Sequence, residues 1–367
     1  MGYNWQLPDW ANFTYDAAVT DPLVINFALE TGELKGLLDS LPETIQQETI
    51  LQFMIAEAVK TSEIEGEFFS RQDIMSSLKK RLGIADGVTH IKDKKSQGIA
   101  HLMVEVRKSY KEELTESLLK NWHHTLMKNN AYINAGRYRK GKETMQIVSG
   151  SIGREIIHFQ APPSNSVARE MKNFICWYNE FHVSRTDLKG ILIKTATAHL
   201  YFESIHPFED GNGRIGRAIA EKCLSQSLGR PVLMSLSSTI EKDRKQYYNA
   251  RKAAQQTLEI TEWISYFAGV ILESQKNAKQ IVLFTINKAK FLDQYRSQMN
   301  ERQFKAILKM FDFGSFGFEG GMTSKKYISI TQASRATATR DLQDLADKKI
   351  FMQTGEGRSV RYELNFG

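Results

Sequence analysis

Cysteine is nearly missing from this chain, with two residues in 367, Cys176 and Cys223. That excludes a disulfide framework, and both lie in apolar, helical-looking runs, which predicts reduced core residues. No run approaches eighteen apolar residues, so no membrane span is expected. The opening, "MGYNWQLPDWANFTYD", lacks a basic region followed by an apolar run, and no secretion signal is expected. Gly2, followed by Pro8 and two tryptophans, fits a lipidation pattern poorly. No internal repeat or low-complexity tract stands out. Together these absences predict a cytoplasmic protein. The composition, 41% hydrophobic and 25% charged, is that of a globular protein. The length allows two or three domains.

The net charge is +7 and is unevenly placed. From Lys279 onward there are 15 Lys plus Arg against 9 Asp plus Glu, so the rest of the chain is nearly neutral. A basic C-terminal module suggests nucleic acid or another acidic partner. A solvated basic surface is the alternative.

Most of the chain has helical periodicity. Residues 1–16, with Trp5, Trp10, Phe13 and Tyr15, read as an arm packed on the main body. In "LPETIQQETILQFMIAEAVKTSEIEG", Ile45, Leu51, Ile55, Ala58, Val59 and Ser62 share roughly one helical face, and Gly66 suits a C-cap. "HIKDKKSQGIAHLMVEVRKSY", "TESLLKNWHHTLMK", "SVAREMKNFICWYNEF" and "DLKGILIKTATAHLYFESI" read as further helices. "SLSSTIEKDRKQYYNARKAAQQ" reads as one more, starting near Ser238 or Thr239. Between them, "GKETMQIVSGSIGREIIHFQAPP" places β-prone runs around a Gly-Ser-Ile-Gly turn, a hairpin signal. From about Asn300 the order becomes helix, helix, helix, hairpin, which is winged-helix order.

The densest chemistry lies in "SIHPFEDGNGRIGRAIAE", Ser204 to Glu221. Gly211 to Gly216 satisfies G-x-G-x-x-G, but a dinucleotide fingerprint must follow a buried strand. Here Leu188, Ile191, Leu192, Thr195, His199 and Phe202 precede it at helical spacing. Asp210-Gly211-Asn212-Gly213 also opens like a calcium loop, yet Arg214 and Ile215 stand where that loop needs an oxygen ligand and a glycine. A phosphate cradle accounts for every residue. Gly211 and Gly213 admit positive φ and bring backbone N–H groups close to an anion. The loop opens a helix, whose N-terminus favours phosphate. Arg214 and Arg217 offer planar forks for phosphate oxygens. Asp210 is a hard oxygen ligand for Mg²⁺. His206, set by Pro207 at the preceding helix end, is placed as a general base.

"HPFEDGNGRIGR" resembles the motif of the Fic (filamentation induced by cAMP) family, HPFx[D/E]GNGRxxR, at every specified position. "GRYRKGKETMQIVSG…HFQAPPS" resembles that family's strand flap, and "SLSSTIEKDRKQYYNA" its nucleotide-side helix. The opening residues resemble the region that often precedes bacterial Fic domains, and the tail resembles their winged-helix appendage.

The resemblance implies a mainly α fold: an all-helical Fic core with a β-hairpin flap and a small C-terminal winged-helix domain. The expected division is an arm and inhibitory region over 1–100, the core over 101–275, a connector over 276–299 and the winged helix over 300–367. The implied activity is transfer of AMP from ATP to a hydroxyl of a target protein. His206 would deprotonate that hydroxyl and Asp210 would hold Mg²⁺. Asn212, with the amides of Gly211 and Gly213, would bind the α-phosphate, and Arg214 and Arg217 the β- and γ-phosphates. Tyr247, Tyr248 and Asn249 would line the adenine and ribose side, with core packing the alternative for each tyrosine. Phe208 would anchor the loop in the core, and Glu209 receives no role.

"TSEIEG", Thr61 to Gly66, fits the family's inhibitory pattern [S/T]xxxE[G/N]. Glu65 would pair with Arg217 and displace the γ-phosphate. In some relatives that glutamate supports removal of AMP, and relatives with the same core move other phosphate-containing groups. The implied partners are ATP and a target protein. Self-modification, DNA contact through the tail and a homodimer stay open. The DNA reading would use Arg335, Arg340, Arg358 and Arg361, with Asp341, Asp344 and Asp347 on the same helix opposing it. A DNA-binding regulator with the core as nucleotide sensor is the competing class.

Overall fold

The computed structural model describes residues 2–84, 91, 93–141, 144–149, 156–314, 317–356 and 359–366. In chain order the helices are α1 (Asp21–Asp39), α2 (Glu43–Ile64), α3 (Arg71–Leu82), α4 (Lys94–Lys108) and α5 (Glu116–Met127). Strands β1 (Gln146–Ser149) and β2 (Ile156–Gln160) follow. Then come α6 (Val167–Glu180), α7 (Leu188–Ile205), α8 (Asn212–Leu228), α9 (Leu236–Lys242), α10 (Arg244–Ala254) and α11 (Thr261–Tyr295). The chain finishes with α12 (Glu301–Phe311), α13 (Ser324–Thr331), α14 (Arg335–Asp347), β3 (Phe351–Thr354) and β4 (Arg361–Leu364). The protein is mainly α, as the sequence predicts.

Two compact units result: Met1–Gly36 with Phe53–Ala278, and Leu37–Gln52 with Lys279–Gly367. The first is built on α7 and α8, which pack together. Nearly all of α7 from Ile191 on is buried, and so are most residues of α8. In α2 the residues 53–58 are all buried, so that stretch is enclosed on every side rather than on the one face its periodicity suggests. The aromatic arm packs on this unit. The Trp5 indole donates to the Gln160 carbonyl at 2.7 Å, and the buried Asn4 amide donates to Ser204 at 3.1 Å. Strands β1 and β2 pair antiparallel, with an irregularity between Ile147 and Val148. The Gly-Ser-Ile-Gly turn lies outside the described residues.

Three local expectations need correction. Cys176 is exposed and only Cys223 is buried. On α6 the inward face carries Val167, Met171, Phe174 and Tyr178, and Cys176 falls on the other side. The segment expected as one helix after residue 234 is two, α9 and α10. Asp243 interrupts it and caps α10 by accepting from the Gln246 N–H. The cap of α9 is Ser235, one turn earlier than expected, and it accepts from the Ser238 N–H.

In the second unit α12, α13, α14 and the antiparallel pair β3–β4 enclose a core that includes Ile307, Met310, Tyr327, Leu342, Leu345, Phe351 and Tyr362. Buried Asp341 accepts from the Tyr327 hydroxyl at 2.9 Å and from Arg302 Nε at 3.0 Å. Asp344 accepts from Gln303 at 2.7 Å and Lys348 at 2.6 Å. Arg335, Arg340, Arg361 and Asp347 are exposed, and Arg358 lies outside the described residues.

Candidate active site

A cavity of about 710 Å³ opens where α7 gives way to α8. His206 caps α7 in the left-handed region, φ 50°, and its N–H donates to the Phe202 carbonyl. A non-glycine residue there is strained and persists only where its surroundings fix it. Arg139 supplies that fixation. Its Nε donates to the His206 carbonyl at 2.8 Å, and its Nη2 donates to the Pro162 carbonyl at 2.6 Å and the Ile205 carbonyl at 3.3 Å. Its backbone N–H donates to the Pro207 carbonyl. One buried guanidinium thus ties the histidine to the residues that end the hairpin.

The loop after His206 is held from beneath. Phe208 is fully buried and stacks on His123, ring centroids 3.9 Å apart. His123 Nδ1 accepts from the Gly136 N–H at 2.8 Å, so the neutral ring carries its proton on Nε2 and can donate to the Asp210 carbonyl, 3.2 Å away. Burial pushes His123 down to about 4, which keeps that tautomer at neutral pH. Glu209 accepts from both the backbone and the side chain of Asn134, at 3.0 and 2.8 Å. Asn212 turns its side chain onto the loop, accepting from the Phe208 N–H at 2.9 Å and donating to its carbonyl at 2.8 Å. Asn212→Ala is therefore expected to destabilise the protein by about 1–3 kcal/mol, since both loop groups lose buried partners. Thermal unfolding measures it, and an unchanged Tm would deny the side chain this role.

Gly211 adopts φ 78° and opens α8, so the amides of the next residues lie in the unpaired first turn. Gly213 is already helical, contrary to the positive φ expected for it. Its need for glycine is space, because a Cβ there would collide with the Glu65 carboxylate.

Arg214 and Arg217, 3% and 1% exposed, are engaged by the last turn of α2 and the segment that follows it. Arg217 donates to Glu65 at 2.8 Å, and to the Thr61 hydroxyl and carbonyl at 2.8 and 3.0 Å. Arg214 pairs with Glu67, and Asp210 lies 3.6 Å from its guanidinium. Burial opposes the charge on Glu65, but Arg217, with Arg214 and Arg251, holds its carboxyl below the usual range. Among the described residues, Arg214 Nε and Arg217 Nη1 are buried without a hydrogen-bond partner. Two guanidiniums with orphaned donors suit an oxyanion richer in acceptors than one carboxylate each.

Tyr248 and Asn249 line the cavity, together with Lys245, Lys252 and Gln255. Tyr247 does not. It is fully buried, with its hydroxyl 2.8 Å from His199 Nε2. His206, Asp210, Gly211, Asn212, Gly213 and Glu65 also line the cavity, with Met145, Ile147 and Phe159 of the hairpin region opposite the loop's polar groups in character. Burial, with Arg251 and Arg139, pushes His206 down to about 3. Its imidazole is therefore neutral at neutral pH and able to accept a proton. Sequence reasoning missed Glu67, His123 and Arg139.

A family model described as Fic/DOC family matches residues 113–224. Another, described as a domain of unknown function (DUF4172), matches residues 3–84. A Fic family protein from Desulfovibrio desulfuricans G20 is similar in structure, with a TM-score of 0.53 at 18% identity over 94% of this chain and 96% of that one. A Fic domain containing signalling protein from Bacteroides thetaiotaomicron VPI-5482 gives a TM-score of 0.52 at 19% identity, over 69% of this chain and 95% of its own. At these identities the likeness is one of fold. The helical architecture, and the family match over the loop from His206 to Arg217, define a Fic domain. The chain carries a Fic/DOC domain over residues 113–224. Fic domain proteins are generally transferases that act on proteins and use ATP. Among the described residues no helix is long and apolar enough to cross a membrane.

Proposed function

We propose that this protein transfers AMP from ATP to a hydroxyl side chain of a target protein, and that Glu65 restrains the reaction. The observation that carries the reading is one cavity lined by a neutral His206, the amides opening α8 and a carboxylate paired with Arg217. The target oxygen attacks the α-phosphorus as its proton passes to the His206 imidazole. The bond from that phosphorus to the bridging oxygen breaks, and pyrophosphate leaves. Such a step needs alignment and charge neutralisation more than covalent catalysis. The loop amides, Asn212, Arg214 and Arg217 supply the neutralisation, and Tyr248 and Asn249 the adenosine side.

The donor set suits Mg²⁺. Asp210 lines the cavity with a side chain 47% exposed, and a single carboxylate with phosphate oxygens and water is the usual way a protein holds this ion. Bound there, Mg²⁺ would neutralise phosphate charge. Reversal of the chemistry, removing AMP from the modified target, would use the same site with Glu65 in place.

Incubation with α-labelled and γ-labelled ATP in lysate tests the reading. Protein-bound label from the α position alone is the expected result. Label from γ would replace adenylyl transfer with phosphoryl transfer. Label on the protein itself would identify self-modification.

A second reading concerns the basic tail as a winged helix that binds DNA. Asp341 favours it, because that carboxylate points into its own core and leaves Arg335 and Arg340 exposed on α14. Arginines so placed suit phosphate contact. The full chain should then shift a duplex with affinity falling about tenfold or more between 50 and 200 mM salt. Arg335→Glu with Arg340→Glu should abolish the shift. No salt-sensitive shift would leave the tail to protein docking or dimerisation.

A further inference from the structure

The motif accounts for two guanidinium groups in the site. A third, that of Arg251 on α10, lines the cavity itself, which the other two do not. Arg251 is 8% exposed and is held from the last turn of α7, where Glu203 accepts from its Nη1 at 2.6 Å. Its Cζ lies 5.4 Å from the Tyr247 ring centroid and 5.1 Å from that of Tyr248. Glu203 itself is 1% exposed and stands three residues before His206. A helix turn separates them at most, so the group that Glu203 orients shares the histidine's end of the cavity.

A structural ion pair would be a poor reason for this arrangement. Burying Arg with Glu seldom stabilises more than well-packed apolar side chains of similar size would. Beside two tyrosine rings an apolar residue would pack well. The pair instead fixes a planar fork against a cavity, with one of its nitrogens committed to Glu203. A fork so oriented is preorganised for an anion.

We propose that Arg251 is a further nucleotide ligand, donating to the α-phosphate and so favouring nucleotides over nucleosides. The inference rests on the reading of the cavity as the ATP site. In that reading the α-phosphorus must lie within reach of His206. Arg214 and Arg217 project from α8 toward the outer phosphates, whereas Arg251 approaches from α10 beside Glu203. Negative charge grows on the non-bridging α-oxygens during attack, and a guanidinium fixed there stabilises it without reorganising. The same positive charge acts on His206, where it adds to burial in keeping the imidazole unprotonated.

The test is calorimetric titration of the full chain with ATP, AMP and adenosine. AMP has no γ-phosphate, so the comparison does not depend on Glu65. Arg251→Leu should weaken ATP and AMP by about 10–100-fold, the usual range for one charge-assisted hydrogen-bonding group, while adenosine changes less than about twofold. Arg251→Lys should recover part of the AMP preference. Because Glu203 would be left unpaired, the double variant Arg251→Leu with Glu203→Gln gives the same ratio in a protein without the stranded charge. Equal losses for AMP and adenosine, or an unchanged ratio in a parent that binds AMP, would overturn the proposal alone. A parent that binds neither ATP nor AMP would overturn the nucleotide reading and this inference with it.

Discussion

Transfer of AMP by a folded His206→Ala protein is expected to fall by about 10²–10⁴-fold, the usual contribution of a general base. In the proposed reaction the attacking group is a serine, threonine or tyrosine hydroxyl, which is a weak nucleophile until its proton has somewhere to go. His206 is the neutral imidazole on the cavity wall, fixed in a left-handed conformation by Arg139 and the end of α7. Removing the ring leaves Arg139 its backbone acceptors, because those contacts involve carbonyls only. ATP affinity should therefore change little, and calorimetry beside the rate assay separates the two. Above the depressed value of about 3, the parent's His206 stays in its accepting form, so activity should not drop between pH 8 and 6 as it would for an ordinary histidine. Near-normal transfer by folded His206→Ala would remove the mechanism.

The parts of this site that were legible in the sequence are those whose chemistry is local. "HPFEDGNGRIGR" carries its histidine, glycine turn, helix start and arginines within a dozen residues, and the helical spacing of the residues before it argues against a strand-borne dinucleotide loop. Glu65 was legible because a short motif ends at a helix stop, and Gly66 takes the positive φ that such a stop needs. Roles that depend on distant partners were not legible. Arg139 serves His206 across 67 residues, and nothing near "GRYRKG" says which carbonyls it will meet. Glu67 is an ordinary acid until the turn at Gly66 brings it to Arg214. Tyr247 and Tyr248 are adjacent on a helix and so point about 100° apart, and only the packing of α10 decides which one meets the cavity. In sequence Gly213 suggests backbone freedom, whereas its constraint in the fold is the volume taken by Glu65. In the tail, α14 carries three aspartates that look alike in sequence, yet Asp341 is buried by Arg302 and Tyr327 while Asp347 is exposed.

Glu65→Gly is expected to raise modification by AMP by up to about 10²-fold, the cost that small misplacements at a reacting centre carry. Arg217 is almost fully buried, and its guanidinium already donates through Nε and Nη2 to Glu65 and to both oxygens of Thr61. A γ-phosphate arriving at the same guanidinium must compete with a carboxylate that its own chain holds in place. ATP would still bind through its adenosine and inner phosphate, but the triphosphate would sit off line from the attacking oxygen. Removing the carboxylate frees one donor of Arg217 and leaves the Thr61 contacts, so the fold should be kept. It also empties the volume that crowds Gly213. Glu63→Gly is the control. Glu63 is two residues away on α2, hence on a different face, and its carboxylate pairs with Lys60 at 2.6 Å instead of entering the site. That substitution should leave the rate within about twofold of the parent. If the protein also removes AMP, Glu65→Gly should slow that reaction while accelerating transfer, an opposite pair of changes that general loosening of the site would not produce. Equal behaviour of the two glycine variants, or no gain over the parent in either, would reduce the Glu65–Arg217 pair to a structural contact at the end of a helix.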